Sequence, residues 1–60
     1  MSEELKHFLS LLNKGNRSYK FDGNTFVLYN EKGVDIYRGY DAIARNCEQV
    51  CIQLGVPTKQ

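Results

Sequence analysis

Sixty residues carry eight Lys and Arg against seven Asp and Glu, a net charge of +1, which is too little positive charge for a surface that tracks a phosphate backbone by bulk attraction. A hydrophobic fraction of 42% with 25% charged residues is ordinary globular usage and removes the chain from the disordered class. A domain of this size buries only about 60% of the surface its unfolded chain exposes, so a homodimer that covers further apolar surface is expected.

The N-terminal stretch MSEELKHFLSLL is acidic and amphipathic. It has neither the basic start and apolar run of a secretory signal nor the length of a membrane span, so a cytoplasmic protein with no membrane partner is expected. Ser2 is a helix cap, Glu3 and Glu4 suit the positive end of the dipole, and Leu5, Phe8, Leu9 and Leu12 recur at helical spacing. Lys14-Gly15 is a stop signal, which predicts a first helix over residues 3–14. His7 falls on its exposed flank.

The following run YKFDGNTFVLYNEKGVDIYRG holds three β-prone segments separated by turn signals at Gly23-Asn24 and Glu31-Lys32-Gly33. A two-residue loop at Gly23-Asn24 sets Phe21 opposite Phe26 and Tyr19 opposite Leu28. A three-residue loop with Gly33 in the left-handed bulge position sets Asn30 opposite Val34 and Leu28 opposite Ile36. Both hairpins then predict one core face: Tyr19, Phe21, Phe26, Leu28, Val34 and Ile36. The other face receives Lys20, Asp22, Thr25, Val27, Tyr29, Asp35 and Tyr37, with Val27 opposite Tyr37 and Tyr29 opposite Asp35.

A second helix is predicted from Asp41, read as its N-cap, with Ile43, Cys47, Val50 and Leu54 on one stripe flanked by Ala44 and Cys51. Gly55 stops it, Val56 folds back and Pro57 forbids continuation. The fold class is α+β in the order α-β-β-β-α: a three-stranded antiparallel meander with the second helix on one face. It forms one domain over residues 1–60 that ends in a polar tail, residues 57–60. The first helix has two placements, beside the second helix or over the tyrosine-bearing face.

Catalytic chemistry has little support in this chain. There is one histidine, no nucleophile elbow and no phosphate loop, and the glycines are explained by turns, so a non-enzymatic protein without cofactors is expected. Cys47 and Cys51 lie four apart on a helix, with side chains running parallel rather than toward a shared bridge. A zinc site would need two further ligands, so both read as small apolar packing residues and no metal is expected. Asp22 and Asp41 read as turn and cap residues, and Asp35 as a cross-strand neighbour of Tyr29.

The element order resembles that of the double-stranded-RNA-binding family, but the last helix opens Tyr40-Asp41-Ala42-Ile43-Ala44-Arg45 where that family uses lysines against phosphate. The likeness stops at topology. A sheet laid on nucleic acid would use Arg17, Lys20 and Arg38 beside the tyrosines, with Asp22 and Asp35 opposing it by repulsion. Protein binding suits the same face better, because tyrosine is an amphipathic anchor and mixed charges make a polar rim. The predicted binding residues are therefore Val27, Tyr29, Tyr37 and Lys20, with a protein partner expected and nucleic acid as the alternative. Leu11 and Ile52 lie off their helical stripes and are the predicted dimer contacts. A chain of this size and kind suits a small adaptor, inhibitor or accessory subunit, such as those phages encode.

Overall fold

The computed structural model describes residues 2–59; Gln60, the last residue of the polar tail, lies outside them. Helix α1 spans Glu3–Leu12, and its cap is the predicted one: the Leu5 amide donates to Ser2 Oγ at 3.2 Å. It ends two residues before the predicted stop. The amides of Lys14 and Gly15 donate three residues back to the Leu11 and Leu12 carbonyls, and Arg17 Nε donates to the Leu11 carbonyl at 2.9 Å. The last turn is thus tightened and closed from outside the helix.

Strands β1 (Ser18–Phe21), β2 (Thr25–Tyr29) and β3 (Asp35–Tyr40) form an antiparallel meander in the order β1-β2-β3. The first hairpin has the predicted register, with Tyr19 opposite Leu28 and Phe21 opposite Phe26. Asp22 Oδ1 accepts from the Asn24 and Thr25 amides at 2.9 and 2.8 Å, which fixes the turn. In the second hairpin the Asn30 amide donates to the Val34 carbonyl at 3.0 Å and Gly33 has φ +78°, so the loop is also the predicted one. Tyr29 stands opposite Asp35.

One residue further on, the register departs from prediction. A bulge between Leu28 and Tyr29 on the β2 side sets Leu28 opposite Tyr37, Val27 opposite Arg38 and Phe26 opposite Gly39. Ile36 is the extra residue. Tyr37, expected on the outer face opposite Val27, therefore points into the core and is buried. Val34, expected in the core, is 54% exposed, and Ile36 is only half-buried. The physical reason is a choice between side chains. The shift buries a tyrosine ring, seats a glycine opposite Phe26 and keeps the Arg38 guanidinium in water.

Helix α2 runs Asp41–Leu54 and buries Ala44, Cys47 and Cys51. Its cap differs from the prediction. Tyr40 occupies the cap position without a side-chain bond, and Asp41, at which the helix opens, has a left-handed φ of +56°. The Asp41 amide donates to the Asn24 carbonyl at 2.8 Å, tying the helix start to the first hairpin turn. Gly39 lets the helix come close, since a β-carbon there would stand 3.0 Å from Ile43 Cγ2. At the far end Gly55 is left-handed and the Val56 amide donates to the Cys51 carbonyl at 2.9 Å, the predicted stop. Leu54, assigned to the buried stripe, is 63% exposed because it sits in the last turn beyond the sheet.

Phe8 settles where α1 lies. It is fully buried, edge-on to Phe26 at 5.4 Å between ring centroids and tilted against Tyr37 at 5.2 Å. Both helices thus share the core face, and the domain has two layers. Leu11, predicted for a dimer contact, is half-buried and packs against this core. No helix among the described residues is long and apolar enough to cross a membrane.

The tail is more than a polar end. The Tyr19 amide donates to the Pro57 carbonyl at 3.2 Å and the Lys59 amide donates to the Tyr19 carbonyl at 2.8 Å, forming a parallel bridge between Tyr19 and Thr58. Residues 57–59 therefore cover part of the β1 edge.

Candidate binding face

With both helices on one side, the other side of the sheet is left to its own side chains. Strand alternation and the observed register place Ser18 and Lys20 from β1, Thr25, Val27 and Tyr29 from β2, and Arg38 and Tyr40 from β3 on this outer face. Val27 and Tyr29 are half-buried, Lys20 and Arg38 are exposed, and Tyr40 is 56% exposed. A shallow groove of about 390 Å³ runs over β1, β2 and the tail, with Lys20, Asp22, Thr25, Val27, Tyr29 and Lys59 among its lining.

Lys59 enters this face from the tail. Its Nζ lies over the Tyr29 ring at 5.1 Å from the centroid, an attraction between a cation and the negative face of the ring. Arg38 is committed within the face: its Nε and Nη2 both donate to Asp35 Oδ2, at 3.0 and 2.8 Å. Such a pair three residues apart needs both side chains on one face, which the bulge allows and a regular strand does not. At the turn end, the Asn24 and Thr25 amides hold the Asp22 carboxyl below the usual carboxylate range.

Of the predicted binding residues, the structure brings Val27, Tyr29 and Lys20 together and removes Tyr37. The Tyr37 hydroxyl donates to Glu4 Oε2 at 3.2 Å, and burial, followed by the proximity of Cys47 and Glu4, makes its proton harder to lose. Of the residues predicted for nucleic acid, Lys20 and Arg38 share the face. Arg17 does not, because it closes the end of α1 near Gly55 and Pro57.

Tyr40 and Lys59 belong to the face but were not predicted for it. Tyr40 follows from the bulged register, and Lys59 from a tail pairing that leaves no periodic mark in four residues. The two cysteines are free thiols in the core. Burial first, then Cys47 and Glu48, push the Cys51 thiol up to about 12, and burial also raises Cys47. Neither is a thiolate nucleophile near neutral pH. No protein-family model, curated protein or solved structure matches the chain.

Proposed function

We propose that the protein is a small non-enzymatic interaction module, an adaptor, inhibitor or accessory subunit, that binds a partner protein through the outer face of its sheet. The observation that carries this reading is the two-layer packing: both helices lie on the core side, while on the uncovered side Val27 and Tyr29 line a groove and Tyr40 stands exposed on the same face. Aromatic and aliphatic centres with a charged rim are what protein interfaces use. The reading takes the site of action to be cytoplasmic, which two unpaired thiols suit. It also includes self-association through α2, where Ile52 and Leu54 are 55% and 63% exposed. Sedimentation equilibrium should show a dimer that Ile52→Lys dissociates; a monomer at all concentrations removes that part.

The main test is photocrosslinking from the face itself. A benzophenone side chain at Val27 or Tyr29 should trap protein after nuclease treatment, whereas the same group at the exposed Glu3 of α1 should not. Equal crosslinking from both positions refutes the outer face. Crosslinks that vanish with nuclease transfer the face to nucleic acid and make Lys20 and Arg38 its contacts.

A further inference from the structure

The parallel bridge between Tyr19 and Thr58 puts the next residue of each segment, Lys20 and Lys59, side by side on the outer face. Like charges set next to each other across a sheet repel. Among the described residues, the ion pairs are Lys6 with Glu3 and Arg38 with Asp35, so neither of these lysines has a carboxylate partner. The other cation of the face, Arg38, is neutralised by Asp35. Asp22 is the remaining carboxylate of the groove, and it sits at the first hairpin turn with one oxygen taken up by two amides. The groove is therefore unevenly charged, negative at the turn end where Asp22 sits and positive at Lys20 and at Lys59, whose Nζ lies over the Tyr29 ring.

Resting on the protein-binding reading above, we propose that the occupant is an acidic, extended segment of the partner, with carboxylates over Lys20 and Lys59 and an apolar side chain between them on Val27 and Tyr29. The tail supplies one of the two cations, so residues 57–59 are part of the site and not only its edge. Two unpaired lysines with a carboxylate at one end suit a short acidic peptide. A phosphate backbone would need a longer run of cations and would meet Asp22 and Asp35.

The test titrates the isotope-labelled protein, followed by amide chemical shifts, with a short peptide holding two glutamates around a leucine. Its lysine-for-glutamate copy and a single-stranded oligonucleotide serve as the other probes. Shifts are expected at Lys20, Val27, Tyr29 and Lys59, with the acidic peptide bound about tenfold tighter than the basic copy at low salt, as two exposed ion pairs provide. Lys20→Glu with Lys59→Glu should reverse the preference; Lys20 is exposed and Lys59 half-buried, and unchanged shifts in the core report an intact fold. Equal binding of the two peptides at the outer face overturns the acidic occupant while leaving the protein-binding reading in place. No outer-face shift with either peptide overturns both. Tighter binding of the oligonucleotide than of the acidic peptide replaces them with nucleic acid.

Discussion

Replacing Tyr37 by alanine tests the bulged register directly, with Tyr29→Ala as its partner experiment. Tyr37 is 8% exposed, packs on Phe8 at 5.2 Å and donates a hydrogen bond to Glu4. Truncating a buried aromatic costs about 3–5 kcal/mol. A domain of this length has a total stability of about 3–9 kcal/mol, so the variant should lose at least about a third of it and unfold at clearly lower urea. Tyr37→Phe keeps the ring and loses only the bond to an exposed carboxylate, at a cost of about 0.5–1.5 kcal/mol. Tyr29 is half-buried on the outer face under one lysine, and Tyr29→Ala should cost about 1 kcal/mol or less, as for substitutions away from the core. Urea unfolding followed by far-UV circular dichroism measures all three. If Tyr29→Ala proves as damaging as Tyr37→Ala, or Tyr37→Ala is harmless, the placement of the two rings on opposite faces is wrong.

Three further outcomes follow from the same packing. Gly39→Ala should cost about 1–3 kcal/mol by overpacking against Ile43, and much less in an Ile43→Ala background, as a double-mutant cycle will report. Because the Asp22 pKa is depressed in the folded state, its contribution is present above the ordinary carboxylate pKa and is lost as pH falls through the folded value. Asp22→Asn keeps the turn acceptor and should flatten the acid limb of a stability-against-pH curve. The Cys51 thiol is raised to about 12, so its contribution is full below the unfolded thiol pKa and is lost as pH rises toward that value. Stability should fall above about pH 8.5, by at most about 1.4 kcal/mol per pH unit for each such thiol, and neither cysteine should react with a thiol reagent until the chain unfolds.

The elements and their order were legible because each was marked by local chemistry: Ser2 and Gly55 bound the helices, and Asp22-Gly23-Asn24 and Gly33 set the hairpins. Both turn types were also legible, since Asn30 does oppose Val34 and Phe21 does oppose Phe26. What local chemistry does not reach is a change of register inside a strand, because a bulge is selected by which side chains the two faces accept. The sequence nevertheless bears its mark. If Leu28 opposes Ile36, two steps along the strand bring Arg38 opposite Phe26, which puts a guanidinium in the core with no carboxylate beside it. A glycine next to it, at position 39, is the second mark, since glycine inside a strand signals a bulge or a close approach, and here α2 makes that approach through Ile43.

The bulge decides more than the fate of one tyrosine. By moving Tyr37 inward it gives α1 an aromatic surface to pack on, so that Phe8 meets both Tyr37 and Phe26 and the helix stays on the core side. By moving Arg38 outward it gives Asp35 a partner within the same strand, and among the described residues Lys20 and Lys59 are then the cations of this face without one. The neutralised part of the uncovered face, the Arg38–Asp35 pair, thus has its origin in β3. Deleting the extra residue, Ile36, would force a regular register after Tyr29. It would also draw in the backbone between Asp35 and Tyr37 and leave Asp35 and Arg38 two residues apart on one face, where their pairing can persist. The deletion therefore removes the half-buried Ile36 and leaves the face in register, so binding through Lys20, Val27, Tyr29 and Lys59, which lie on β1, β2 and the tail, should survive it.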